Sequence, residues 1–92
     1  MIKFTEHPEK AERIREAARR IEALHGKVPS LKGMKTGVNF SPEDRAMDLV
    51  LTATFVDRRG LDEYAVHPEH LKVIDYLKQV TDYSKVVDYE TV

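Results

Sequence analysis

The residues best suited to chemistry lie in the segment Tyr64–His70, which brings a phenol and two imidazoles together at a break between two short helices. Imidazole transfers protons near neutral pH, and a phenol can donate a hydrogen bond to a developing oxyanion. His70 shares a helical stripe with Val73, so the pattern points its side chain toward the protein interior. The spacing predicts that Tyr64 and His70 form a catalytic acid–base pair; the alternative is that both side chains only pack.

His67 is a weaker candidate for a catalytic role. It precedes Pro68, and a polar residue in this position often caps a helix. His7 stands in the same place before Pro8, and this parallel favours a structural role for both histidines. The proline also opposes the helical spacing that two histidines need to share a metal, and no third ligand is well spaced, so we predict no metal site. The predicted substrate-binding side chains are His67, Phe55 and Val73.

Composition limits the function classes that this chain can serve. Its 92 residues predict one domain over residues 1–92, and 15 Lys and Arg against 16 Asp and Glu give a formal net charge of −1. Without a clustered basic patch, nothing favours binding to nucleic acid or to an anionic membrane. The chain has no cysteine, no apolar run long enough to span a bilayer and no signal-peptide core, so the expected compartment is the cytoplasm.

The elements that must position these residues follow from the hydrophobic periodicity. A helix is predicted over residues 7–24, with Gly26 as its stop signal. Two further helices are predicted over 60–66 and 69–79. Strands are predicted over 1–5, 31–40, 48–56 and 83–91, the first being only a short stub. This order predicts an α+β sandwich with helices on one face of an antiparallel sheet.

The predicted strand over residues 48–56 is apolar or β-branched on both of its faces. Its side chains alternate in two sets: Leu49, Leu51, Ala53 and Phe55 on one face, and Val50, Thr52, Thr54 and Val56 on the other. Helices can cover only one face of such a sheet, and a second copy of the same sheet is the simplest cover for the other. The pattern therefore predicts a homodimer that forms through the sheet faces.

The segment Asp62-Glu63-Tyr64-Ala65-Val66-His67-Pro68-Glu69-His70 resembles the motif of the stress-responsive dimeric α/β-barrel (Dabb) family. Three shorter segments agree with the same family: Gly37–Ser41, Asp48–Leu51 and Val87–Tyr89. The Tyr-x-x-His-Pro-x-His pattern is the specific part of a resemblance that covers nearly the whole chain. It implies a ferredoxin-like β-α-β-β-α-β fold whose sheets pair face to face in a dimeric α+β barrel, with a cavity between each sheet and its helices.

Members of this family are functionally varied, so the resemblance leaves several functions open. It implies a small homodimeric, stress-related protein whose hydrophobic cavity accepts a carbonyl-containing or aromatic small molecule. A plant polyketide cyclase of the family performs a cofactor-free aldol cyclisation with a tyrosine and a histidine that correspond to Tyr64 and His70. A cyclase- or lyase-like reaction, a cofactor-free monooxygenase and a protein without catalysis are the alternatives, and none needs a cofactor. Some plant relatives hold a metal ion through backbone carbonyls in the region that corresponds to residues 28–34.

The first strand departs from the family pattern. The chain passes from Met1-Ile2-Lys3 directly to Phe4, which makes this strand several residues shorter. The first strand of a ferredoxin-like sheet is central, so unpaired backbone groups beside it cost about 1–3 kcal/mol each if they are buried. Three outcomes are open: the stub pairs weakly, a partner chain supplies the lost pairing, or the sheet rearranges around the final strand.

Overall fold

In the part of the chain that the computed structural model describes, residues 1–43 and 45–90, four strands alternate with three helices. In chain order they are β1 (Ile2–Phe4), α1 (Lys10–Ala23), β2 (Gly33–Val38), β3 (Leu49–Thr54), α2 (Arg58–Val66), α3 (Pro68–Val80) and β4 (Thr81–Ser84). A 3-10 turn over Leu24–Gly26 extends α1, so the helical path ends at the predicted stop signal. Asp44, Thr91 and Val92 lie outside the described residues, and Thr91 belongs to the predicted final strand.

The strands form an antiparallel sheet in the order β2-β3-β1-β4. α1 packs against β2 and against α3, which places the helices together under one face of the sheet. The core contains residues from both layers: Ile2, Phe4 and Leu49 from the strands, and Ile14, Ala17 and Ile21 from the stripe on α1. This strand order and connectivity confirm the α+β, ferredoxin-like fold that the sequence predicted.

The ladder between β2 and β3 is the longest in the sheet and runs in register from the pair Gly33–Thr54 to the pair Val38–Leu49. Gly37 lies opposite Val50, and a Cβ on Gly37 would stand only 3.1 Å from Val50 Cγ1. A side chain at residue 37 would therefore push the valine away. The glycine permits the close approach that the sequence pattern predicted on this face of the strand.

β1 is held in the sheet by a few strong contacts. It pairs with β3 only at Ile2 and Leu49, and with β4 along three residue pairs. The ring of Phe4 is fully buried, and its N–H donates to Asp48 Oδ2 at 2.7 Å, so a carboxylate replaces the missing strand partner. The Lys10 ammonium lies 3.3 Å from Asp48 Oδ1. The stub therefore pairs weakly, as the first of the three predicted outcomes has it, and the strand order is not rearranged.

The prediction of a final strand over residues 83–91 is wrong in both position and length. β4 covers Thr81–Ser84, and residues 85–90, hereafter the tail, join no ladder in the described structure beyond the pairing of Lys85 with Met1. The physical reason is the short first strand, because β4 pairs with β1 and β1 begins at Ile2. The tail's apolar side chains are exposed: Val86, Val87 and Tyr89.

Other element ends also differ from the predictions by a few residues. α1 begins at Lys10 and not at His7, because Pro8 and Glu9 form a turn in which His7 Nδ1 accepts a hydrogen bond from Glu9 N–H. β2 and β3 stop two residues early, which leaves Phe40 and Val56 in loops and highly exposed. Among the described helices, none has both the length and the apolar character needed to cross a lipid bilayer.

Candidate functional site

α2, which carries Tyr64, begins with a cap that the sequence analysis missed. The Asp57 carboxylate accepts a hydrogen bond from Gly60 N–H at 3.0 Å, and Asp57 itself is extended. An aspartate just before a helix is a recognised N-cap signal. The position of Asp57 directly before Arg58 is therefore the sequence signal that could have located this cap. The helix therefore begins at Arg58, two residues before the predicted start at Gly60.

His67 caps α3, which is the structural role that the parallel with His7 favoured. The backbone of His67 is extended before Pro68, which ends α2 and sets Pro68 at the first position of α3. His67 Nδ1 accepts a hydrogen bond from Glu69 N–H at 3.1 Å. The ring is thus turned toward the start of α3. Its place in the substrate-binding set stays a prediction.

Removing the His67 cap is expected to destabilise the domain. His67→Ala should lower the free energy of unfolding by about 1 kcal/mol, because the first turn of α3 loses its side-chain acceptor. His67→Asn should recover most of this loss, since an asparagine oxygen can accept the same hydrogen bond. Urea denaturation followed by circular dichroism measures both variants, and equal stabilities for the alanine and asparagine variants would contradict the capping role.

The structure brings Phe55, Tyr64 and His70 together in one aromatic cluster. The ring centroids of Tyr64 and His70 lie 4.1 Å apart with an interplanar angle of 36°, so the two rings stack. Phe55 also packs against Tyr64, with ring centroids 5.2 Å apart and an interplanar angle of 56°. His70 Nδ1 lies 3.2 Å from the Ala65 carbonyl oxygen. Because a carbonyl can only accept, this contact favours the tautomer in which Nδ1 carries the proton and Nε2 does not.

Tyr64 is buried, and burial raises the pKa of its phenol above the ordinary value of 10. The physical cause is desolvation, which penalises the phenolate. Tyr64 therefore remains a hydrogen-bond donor over the whole physiological pH range. In the unfolded chain the phenol loses its proton at a lower pH than in the folded protein. The free energy of unfolding should therefore fall as the pH rises above about 10.

Tyr64 should be detectable in an alkaline titration of tyrosine absorbance. The chain contains four tyrosines and no tryptophan, which makes the phenolate signal easy to follow. In Tyr64→Phe, the amplitude that titrates above pH 10 is expected to fall by one tyrosine, because the late-ionising group is gone. The loss of stability above that pH should also be smaller in the variant. An unchanged late amplitude would show that Tyr64 is not the shielded phenol.

Val73 is buried one turn after His70 on α3, so it lies beside the cluster, as the helical stripe predicted. Two surface depressions among the described residues lie elsewhere, one along α1 beside Tyr76 and one between Pro29 and the start of α2. A ligand cavity at the aromatic cluster stays a prediction.

Two features of the sequence bear on metal binding: the histidines of the segment Tyr64–His70 and the backbone of residues 28–34. Within residues 1–43 and 45–90, the structure assembles no group of three His, Cys, Asp or Glu side chains that could hold a metal ion. In the region that corresponds to the backbone site of plant relatives, the Lys32 ammonium donates to the Pro29 carbonyl at 3.2 Å. His25 Nε2 contacts the Lys32 carbonyl at 3.1 Å. These two carbonyls are thus engaged by side chains of the chain itself.

Comparison with known proteins supplies the family. The model of the stress responsive A/B barrel domain matches residues 1–91. A dimeric protein of unknown function with a ferredoxin-like fold from Bacteroides fragilis has a TM-score of 0.87 and 26% sequence identity, covering 98% of this chain and 89% of its own. A dimeric ferredoxin-like protein of unknown function from a Jannaschia species gives 0.79 and 29%, covering 99% and 93%.

A protein from Arabidopsis thaliana shares the fold, with a TM-score of 0.81 and 23% identity over 99% of this chain and 89% of its own. Comparison with curated protein sequences finds no significant match. The family model covers nearly the entire chain. The chain therefore belongs to the stress responsive A/B barrel domain (Dabb) family.

Proposed function

We propose that this protein is a stress-related homodimer, acting in the cytoplasm, that binds a small aromatic or carbonyl-containing compound at the cluster of Phe55, Tyr64 and His70. The observation that carries the proposal is the stacking of Tyr64 on His70 at 4.1 Å, with a phenol that burial keeps protonated. Two polar groups and an apolar ring converge at one place. That combination suits an apolar ligand with one polar oxygen.

Each side chain of the cluster has a distinct part in such binding. Tyr64 supplies the hydrogen-bond donor for a carbonyl oxygen, because burial raises the pKa of its phenol and keeps it protonated. Phe55 supplies an apolar ring against which an aromatic ligand can pack. His70, with its Nδ1 directed at the Ala65 carbonyl, retains Nε2 as an acceptor for a ligand hydroxyl or acidic C–H proton.

Acid–base catalysis is the second candidate function, and the orientation of His70 favours it. A basic Nε2 could remove a proton next to a carbonyl while the Tyr64 hydroxyl stabilises the enolate oxygen. The two rings stack and do not hydrogen-bond each other, so a proton would pass between them only through a bound substrate. The reaction would then be a cofactor-free cyclase- or lyase-like one.

The exposed face of the sheet supports the homodimer. Val50 and Tyr83 lie on this face and are 46% and 47% exposed. Across the β2–β3 ladder Val50 pairs with Gly37, and Gly33 pairs with Thr54, so two positions of β2 on this face carry no side chain. An exposed sheet face with few projecting side chains favours packing against the same face of a second subunit. The Bacteroides and Jannaschia proteins, which have the same fold, are both described as dimeric.

Binding can be tested with benzoylacetone, a small aromatic β-diketone, titrated into isotope-labelled protein. We expect a dissociation constant on the order of 1 mM, as suits a ligand of this size. Chemical shifts should change at Tyr64, His70 and Phe55. Tyr64→Phe should weaken binding by about fivefold to tenfold, the value of one hydrogen bond.

The matched control is Tyr76→Phe, which removes a hydroxyl from a tyrosine that packs under Arg20 and outside the cluster. This variant should bind benzoylacetone with unchanged affinity. Equal affinities for the two phenylalanine variants, or shift changes confined to residues distant from the cluster, would refute the proposed site.

A further inference from the structure

The tripeptide His-Pro-Glu occurs twice in the chain, and both copies make the same side-chain contact. His7 Nδ1 accepts a hydrogen bond from Glu9 N–H at 3.0 Å, and His67 Nδ1 accepts one from Glu69 N–H at 3.1 Å. The contact at His7 is exposed, whereas the contact at His67 is partly buried and lies in the break between α2 and α3. The second copy is therefore the one that bears on the candidate site.

The His67 cap requires a ring nitrogen without a proton. A nitrogen accepts a hydrogen bond through its lone pair, and a proton on Nδ1 occupies that lone pair. The protonated ring would also place a positive charge at the N-terminus of α3, where the helix dipole is already positive. Imidazole side chains exchange this proton between about pH 5 and 8. Mild acid therefore opposes this cap, whereas it would leave an asparagine cap intact.

The charged groups on the two helices that meet at His67 have partners of their own. On α3, Glu69 Oε1 lies 3.4 Å from the Lys72 ammonium, and on α2, Glu63 Oε1 lies 4.0 Å from Arg59 Nε. In the described part of the chain, no carboxylate forms an ion pair with His67. A positive charge on its ring would therefore gain no paired counter-charge from these helices.

Two further groups lie on elements packed at this junction. α1 meets α3 through Arg20, whose guanidinium lies 4.0 Å from the centre of the Tyr76 ring, more than two helical turns beyond the cap. His70, in the first turn of α3, directs Nδ1 at the Ala65 carbonyl, so a proton added at its Nε2 leaves that contact intact. Acid therefore opposes the contact of the capping histidine and not the contact of His70.

Hydrogen bonds on both sides of His67 hold the break between α2 and α3. Its backbone N–H donates to the Tyr64 carbonyl at 3.1 Å, and its carbonyl accepts from Leu71 N–H at 3.0 Å. His70 is the third residue of α3, so it lies in the turn that the cap fixes. The Tyr64 ring stands on the other side of the break, with its centroid 4.1 Å from that of His70. The stack therefore spans the break and depends on the order of this first turn.

We propose that His67 is an acid-sensitive positioning residue for the site at Tyr64 and His70. A proton taken from solvent onto Nδ1 of His67 breaks the hydrogen bond from Glu69 N–H. The first turn of α3 then loosens, and His70 moves away from Tyr64. Return to neutral pH removes the proton and restores the cap. Ligand binding at this site would weaken in mild acid, a consequence that rests on the proposed function.

Two NMR signals of the ligand-free protein test the structural step: the protection of the Glu69 amide against hydrogen exchange, and the Overhauser cross-peaks between the rings of Tyr64 and His70. From about pH 7.5 to about pH 5, the wild-type protection should fall about fivefold, the equivalent of one cap, and the cross-peaks should weaken. His67→Asn supplies a cap that does not titrate, so both signals should stay constant. His7→Asn, which changes the same tripeptide outside the site, should behave like the wild type.

The ring nitrogens of His67 give a second measurement in the wild type, which does not depend on the folding of any variant. Nitrogen-15 chemical shifts follow the protonation of each imidazole separately. The loss of the Tyr64–His70 cross-peaks should follow the titration of Nδ1 of His67. A loss that follows the titration of His70 alone would overturn the inference.

Titrations of benzoylacetone at the same two pH values connect the cap with the site. The acid-to-neutral ratio of dissociation constants, taken within each protein, should be about fivefold larger in the wild type than in His67→Asn. Equal ratios, or wild-type NMR signals that stay constant in acid, overturn the acid-sensitive cap and leave the proposed binding site intact. If benzoylacetone binds at neither pH while the NMR signals change as expected, the cap is supported and the proposed binding site is refuted.

Discussion

Replacing Phe4 by alanine is expected to lower the free energy of unfolding by about 3–5 kcal/mol. The ring is fully buried, and it is one of two inward side chains on the three-residue strand β1. Its loss would leave a cavity that the short strand cannot close. Small domains are stable by only about 5–15 kcal/mol, so this single change should remove a large part of the total.

The matched control is the same substitution at Phe40, whose ring is 98% exposed in the subunit. Phe40→Ala should change the stability by no more than about 0.5 kcal/mol. Urea denaturation of both variants at one protein concentration gives the comparison. Similar losses at the two positions would mean that β1 does not anchor the core as described.

Replacing Val50 by lysine is expected to prevent the proposed homodimer from forming, which leaves a monomer at micromolar concentration. Val50 lies on the exposed face of the sheet, in contact distance of the Gly37 backbone. In a face-to-face dimer both copies of the new ammonium group would lose water without gaining a partner. A penalty of about 3 kcal/mol corresponds to more than a hundredfold weaker association.

Val66→Lys is the control for charge and size, because Val66 is also exposed but lies at the end of α2, away from that face. It should leave the molecular mass in solution unchanged. Sedimentation equilibrium, with circular dichroism to verify folding, distinguishes the outcomes. A folded Val50→Lys dimer would show that the subunits associate through some other surface.

Local sequence patterns were sufficient to predict the order of the elements, and they supplied Tyr64 and His70 as candidate site residues. The stripe of Ile14, Ala17 and Ile21 predicted α1, and the alternation in residues 48–56 predicted β3, because both patterns reflect interactions between residues close in the chain. The segment Tyr64–His70 also contains the motif that indicated the family. The match of the family model to residues 1–91 confirms that the chain belongs to it.

Strand ends were predicted poorly wherever they depend on a neighbouring strand. The final strand was expected to reach residue 91, yet its ladder stops at Ser84, because the pairing partner begins only at Ile2. Nothing local in the tail reveals this, since its valines and tyrosine have strong strand propensity. The extent of the ladder is a property of the pair and not of either strand.

The tertiary structure alone decided how the candidate site is arranged. Sequence spacing placed Tyr64 and His70 near each other, but only the packing of α2 on α3 makes them stack, and only Phe55, at the end of a distant strand, completes the cluster. Asp48 likewise meets Phe4 across 44 residues of chain. Contacts of this kind arise when separate elements pack together, and a one-dimensional pattern, which records local periodicity, does not contain them.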